Sequence, residues 1–294
     1  LKKIYSMKKI KYIFEALIIY FFLFIIKLLG LDLSRKLFSF IFKNIGFLVK
    51  SKKVVNSNLE KILGNIGNLE RNNIHEKMWS NYGKTFVEYM FLNKFKNENI
   101  HIKIKGEELI TKIKNKNKPV VFVSGHFANY ELMSMELVKR GINLATIYRP
   151  LNNFLVNPFM EYVRRKNVCK HQIKKGFAGI RDAVNYVNKN FSIALMIDQR
   201  VSEGERLEFF NKKALTTTLP AQLALKYKCD IFPVYISREK SSNFVMEIYE
   251  PISINNLENN EINKINISNL LNKSLEKMIL RDPSQWILTH NRWK

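Results

Sequence analysis

KPVVFVSGHFANYEL (residues 118–132) reads as a buried strand, a tight turn and the first turn of a helix. The run PVVFVS (119–124) is short, rich in β-branched residues and followed by Gly125, the marks of a strand. Gly125 permits the turn, and apolar residues at helical spacing take over along 128–140. The same unit recurs outward from this point. HIKI (101–104), LATIY (144–148), FSIALMI (191–197), CDIFPVYIS (229–237) and FVMEIYE (244–250) read as further strands. Residues 157–166, 179–190, 219–228 and 267–281 read as helices, and 57–93 as amphipathic helix without proline. This alternation predicts a single α/β domain over residues 33–294, with a mostly parallel central sheet flanked by helices. The Asn-rich stretch 255–269 is expected to be a loop entering the last helix.

Residues 1–32 differ in character. A basic segment, LKKIYSMKKIKY, precedes an apolar run that is unbroken from Ala16 to Ile26. Counted from Tyr12 to Leu31, it reaches the roughly 20 residues that span a bilayer. No small-x-small cleavage pattern follows, so an uncleaved membrane-anchor or interfacial helix is expected. Lys2, Lys3, Lys8, Lys9 and Lys11 precede it, and Lys27, Arg35, Lys36, Lys43 and Lys50 follow. That balance gives the anchor no orientation by charge. The next block, KLFSFIFKNIGFLV (36–49), suits either the membrane interface or packing against the domain.

With 46% hydrophobic and 12% aromatic residues over 294 positions, the chain can bury a substantial core. Wholesale disorder, a collagen-like repeat and a disulfide-stapled miniature fold are excluded. The 49 Lys and Arg outnumber the 25 Asp and Glu, giving a net charge of +24. Such a surface favours anionic partners: nucleic acid, an acidic carrier protein or a phospholipid face. Cys169 and Cys229 are far apart and lack ligand spacing. They are expected to be buried thiols in a reducing compartment.

The chemistry-bearing residues are His126 and Glu131. Five positions on an ideal helix separate side chains by about 140°, so the two meet only if His126 lies in the turn before the helix. A histidine at the carboxyl end of a strand, oriented by a carboxylate, is suited to removing a hydroxyl proton. Glu131 would accept the Nδ1–H and fix the tautomer. Neither a G-x-S-x-G elbow nor a glycine-rich nucleotide loop occurs. Two classes stay open on the residues alone. One is an enzyme built on this pair; the other is a basic protein for nucleic acid or anionic lipid, in which the pair is incidental. The aromatics gather in apolar runs near the amino terminus instead of interleaving with cations, which argues against nucleic acid.

Several blocks, in order, resemble the lipid A biosynthesis (lauroyl/myristoyl) acyltransferase family, within the lysophospholipid-acyltransferase-like superfamily. GHFANYE (125–131) resembles its H-x4-[DE] block, YRPLNN (148–153) its Tyr-Arg-Pro block, and Asn157-Pro158 the pair that follows. MIDQR (196–200) is similar to its Asp-Gln-Asp segment, FFNKKALTTTLPAQLA (209–224) to its Phe-Phe-Gly block, and DPSQWILTHNRWK (282–294) to its ending. The resemblance implies a glycerolipid-acyltransferase-like fold and acyl transfer from an acyl carrier protein thioester to a hydroxyl of a lipid A precursor. No covalent acyl-enzyme and no cofactor or metal is implied, and the alternative is acylation of another glycolipid or phospholipid. It implies His126 as general base with Glu131 orienting it. Arg149, Asp198 and Gln199 become candidates for substrate binding or transition-state stabilisation, with Arg164 and Arg165 as further candidates whose plainer reading is surface charge. Arg200 replaces the family's second Asp, and Asn211 stands where Gly is usual. Trp286, His290, Arg292 and Trp293 are expected to pack the tail, and Thr216–Thr218 to cap the following helix. The implied location is the cell inner membrane, with the catalytic domain facing the cytoplasm.

Overall fold

The computed structural model describes residues 2–49, 51–254 and 256–294; Lys50, counted above among the flanking cations, and Asn255 lie outside them. Four helices lead: α1 (Lys2–Leu29), α2 (Leu31–Val49), α3 (Lys52–Leu63) and α4 (Asn68–Glu88), followed by the short α5 (Leu92–Asn97). Strand and helix then alternate through β1 (Ile102–Lys105), α6 (Glu107–Lys116), β2 (Val121–Ser124), α7 (Glu131–Lys139) and β3 (Leu144–Tyr148). The alternation continues with α8 (Asn157–Asn167), β4 (His171–Lys174), α9 (Phe177–Asn188) and β5 (Ser192–Met196). A hairpin of β6 (Glu205–Phe209) and β7 (Lys212–Thr216) precedes α10 (Leu219–Tyr227), β8 (Ile231–Arg238), β9 (Phe244–Ile248) and α11 (Glu261–Arg281).

Seven strands form one sheet in the order β1-β9-β8-β2-β5-β3-β4. The five from β8 to β4 run parallel; β9 turns back against β8, and β1 runs parallel to β9. The mostly parallel α/β sheet expected from the alternation is therefore present. Side chains alternate along β2 as a strand requires. Val121 and Val123 enter the core cluster on one face, beside residues of α10 and α11, while Phe122 enters the cluster on the other with residues of α6 and α7. Both faces are buried, which is why the strand sequence is continuously apolar. Cys169 and Cys229 are free, buried thiols, and burial pushes Cys229 up to about 12.

Four local readings change. The helix expected over 57–93 is two helices, because Gly64, at φ 71°, ends α3 and Gly67 precedes α4. The last helix begins at Glu261, inside the Asn-rich stretch, since the Asn260 side chain caps it by accepting from Asn263 N. The helix expected from 128 begins at Glu131, after Ala128 takes a left-handed φ of 43°. Helix α6, strand β4 and the β6–β7 hairpin were not expected at all; β4 and the hairpin are short, largely polar segments outside the middle of the sheet.

Within α1, Met7–Leu29 is long and apolar enough to cross a membrane. One face packs on the domain through Ala16, Leu23 and Ile26, while Ile10, Phe14, Leu17, Phe21, Phe24 and Leu28 stand exposed. Tyr20 donates to Leu155 O at 2.8 Å, and Asn153 Nδ2 donates to Tyr12 O at 2.9 Å. Helix α2 packs against the domain as one of its two readings allowed: Phe38 is buried against Phe22 and Phe86, while Phe40 and Leu48 are exposed.

Candidate active site

Strands β2 and β5 are parallel neighbours with Ser124 opposite Met196. His126 and Asp198 each lie two residues past that pair, so the register brings them side by side at the carboxyl edge of the sheet. His126 Nδ1 lies 2.7 Å from Asp198 Oδ1, and His126 N donates to Asp198 Oδ2 at 2.8 Å. Trp286 Nε1 donates to the same Oδ2 at 2.8 Å. Asp198 is fully buried. Burial by itself would raise its pKa, but the neighbouring His126 and the donors of His126 and Trp286 outweigh that and hold it below the ordinary range. The carboxylate stays ionised and acceptor-only, so Nδ1 carries the proton in their hydrogen bond. The His126 ring lines a cavity of about 440 Å³.

This corrects the pairing expected from spacing. His126 does lie in the turn before α7, but Glu131 is not its partner. Arg164, on α8, donates to Glu131 Oε1 through Nε at 2.8 Å, with its Nη2 2.7 Å away. Tyr89 OH donates to the same oxygen. The reason is placement: Glu131 is the first residue of α7 and reaches across to α8 and the end of α4, while the Tyr130 ring lies edge-on to His126 at 4.6 Å. Glu131 and Arg164 are 7% and 8% exposed, and both line the cavity. Burial works against the charge on Arg164, and the Glu131 carboxylate overcomes it, so the guanidinium is held ionised. Surface charge is thus the wrong reading for Arg164. It is the right one for Arg165, which points outward and sits 3.9 Å from Glu161.

The turn that presents His126 is held from outside. A Cβ at Gly125 would approach the Phe127 ring to 2.7 Å, so a side chain there would push on the turn. Phe127 bridges to Trp286, Ala128 N donates to Gln285 O at 2.8 Å, and Thr85 Oγ1 donates to Ala128 O at 3.2 Å. Asn129 Nδ2 donates to Glu88 Oε2 at 3.0 Å. These bonds over-determine the left-handed Ala128, a strained state that needs such support. The terminal block therefore does more than pack the tail: Trp286 holds Asp198 and Gln285 holds the turn.

Arg149, Gln199, Lys175 and His290 also line the cavity, with Ile147, Leu195, Val201 and Leu219 among its apolar walls. Arg149 is exposed at the rim. His290 Nε2 accepts from Arg200 N at 3.0 Å; burial first, with the neighbouring His126, Arg292 and Lys175 outweighing the opposing Asp198, lowers its pKa to about 4. Arg292 is fully buried, donates to Leu215 O and Thr216 Oγ1, and packs the tail as expected. Trp293 stacks on Phe209. Of the three threonines, Thr217 accepts from Leu219 N at the start of α10, whereas Thr216 binds Arg292. A smaller apolar cavity of about 150 Å³, bordered by Phe177 and Ile180, shares Ile147, Val201 and Leu219 with the first. Among the described residues, no group of His, Cys, Asp and Glu is arranged to hold a metal ion.

Sequence reasoning missed Asp198 as the histidine's partner and missed Tyr89, Tyr130 and Glu88 altogether. For Asp198 the signal was the MIDQR block itself, following a strand; only the β2–β5 pairing turns it into a neighbour of His126.

Compared with known protein families, residues 2–294 match the model described as bacterial lipid A biosynthesis acyltransferase. No curated protein matches the chain.

Proposed function

The chain belongs to the bacterial lipid A biosynthesis acyltransferase family, and from that premise we propose that it transfers a fatty acyl group directly from an acyl carrier protein thioester to a hydroxyl of a lipid A precursor. The observation that carries this reading is the His126–Asp198 pair at the wall of a part-apolar, cation-rimmed cavity. Nε2 of His126 takes the acceptor's hydroxyl proton as the oxygen attacks the thioester carbonyl. The tetrahedral intermediate collapses with cleavage of the C–S bond, and the imidazolium returns the proton to the leaving thiolate. Asp198 holds the ring and stabilises the imidazolium. Arg164, kept in place by Glu131 and Tyr89, and Arg149 at the rim are suited to anionic groups of the substrates and to the developing oxyanion. The apolar extension beside Phe177 suits the acyl chain. His126 is the catalytic residue in this reading, with Asp198 and Glu131 as positioning residues.

The exposed apolar face of α1 supports anchoring in the inner membrane, with residues 33–294 on the cytoplasmic side, where the acyl carrier protein donor is found. The test is incubation of the purified protein with an acyl carrier protein thioester and a lipid A precursor, followed by mass spectrometry. A precursor heavier by one acyl chain is expected. No mass gain contradicts the substrate assignment, and a labelled acyl group trapped covalently on the protein contradicts direct transfer.

A further inference from the structure

A second cavity, of about 450 Å³, opens between α2, α3 and α4, lined by residues distinct from those around His126. Lys43, Lys52 and Arg71 line it together with His75 and the amides of Asn44, Asn68 and Asn72. Glu76 is the one carboxylate in its wall, and none of the three cations forms an ion pair among the described residues. The Nε atom of Arg71 is buried without a hydrogen-bond partner. The excess positive charge registers on His75, whose pKa is lowered by burial first and then by Lys52 and Arg71. An adjoining groove shares Lys43 and adds Lys77, Lys84, Arg238 and Lys240 against Glu239 and Asp282. Such a cavity attracts an anion and offers neutral donors around it.

The neighbouring helix face identifies the rest of the ligand. At helical spacing, Leu33, Leu37, Phe40, Asn44, Phe47 and Leu48 fall on one face of α2, and the five apolar ones are exposed. Asn44 and Phe47 belong to both this face and the cavity wall, and Lys52 Nζ sits 4.8 Å from the Phe47 ring centroid. Apolar surface thus runs directly into a cationic pocket. A free phosphate would use the pocket and leave the apolar face unexplained; an acidic protein helix would use the charges and leave the enclosed cavity unexplained.

We propose that the α2–α3–α4 cavity binds the phosphate headgroup of an anionic glycerophospholipid whose tails lie along the exposed face of α2. The site reads the charge of the bilayer surface.

The test is native mass spectrometry of the full chain in detergent, titrated with phosphatidylglycerol or phosphatidylcholine. One retained phosphatidylglycerol is expected, with phosphatidylcholine bound at least about tenfold more weakly. Combining Lys43→Gln, Lys52→Gln and Arg71→Gln should weaken phosphatidylglycerol by about a hundredfold, and Arg71→Gln alone by about fivefold, should the triple variant not fold. Combining Lys112→Gln, Lys116→Gln and Lys118→Gln removes equal charge elsewhere and should change nothing. Equal phosphatidylglycerol binding by the cavity variants overturns the proposal. So does phosphatidylcholine binding as tightly, or displacement of the lipid by millimolar inorganic phosphate.

Discussion

Asp198 accepts three hydrogen bonds in a fully buried site, and two of them come from the residue it orients. Replacing its charge while keeping its shape should disturb the His126 tautomer more than the fold. Asp198→Asn is expected to lower kcat for acyl transfer by at least about a hundredfold, measured beside a far-ultraviolet spectrum that stays native. His290 gives a pH signature. Its folded pKa of about 4 lies below the ordinary histidine value of 6.5, so between those values the unfolded chain binds a proton that the native one does not. Stability therefore falls as pH drops from 6.5 towards 4. Calorimetry should show a shallower decline for His290→Asn over that interval. At this scale the sequence disclosed which side chains matter better than which ones touch. The His126 and Asp198 blocks both stood out, yet a separation of 72 positions hides a contact that strand register alone creates.

Strands and helices set these positions, and their close approaches can be tested. A Cβ on Gly83 of α4 would collide with the backbone carbonyl of Phe38 on α2. Gly83→Ala should cost about 1 to 3 kcal/mol, read as a lowered denaturation midpoint, although alanine is the better helix former. The β6–β7 hairpin turns on Phe210 and Asn211, with φ 52° and 56°, as a two-residue turn with both central residues left-handed requires. At Asn211 the side chain suits the turn, because asparagine tolerates that region. Buried strands such as β2 and β5 were legible because burial on both faces forces an unbroken apolar run. Strand β4, HQIK, was not: it closes the edge of the sheet, pairs on one side only, and carries no apolar pattern. Glycine spacing, not hydrophobic period, decided where α3 ended.

Across the whole molecule, one buried carboxylate joins the leading helices to the His126 turn. Glu88 is fully buried and accepts from Arg35 of α2, Arg238 of β8 and Asn129 of the His126 turn. Its removal leaves two guanidinium groups buried without their partner, and Glu88→Ala should lose about 3 to 5 kcal/mol of stability. Chemical denaturation would measure that loss. The loop holding Asn153 and Leu155 likewise ties α1 to the rim of the His126 cavity, so the apolar helix and the sheet edge are joined by hydrogen bonds. In the proposed function, transfer from a carrier-borne acyl chain to a lipid hydroxyl is a single event on His126. Turnover of His126→Ala, assayed in membranes with acyl carrier protein thioester and lipid A precursor, is the direct measure. A kcat at least about a hundredfold below wild type, with a native far-ultraviolet spectrum, is expected; turnover near the wild-type rate would contradict the assignment of His126 as the base.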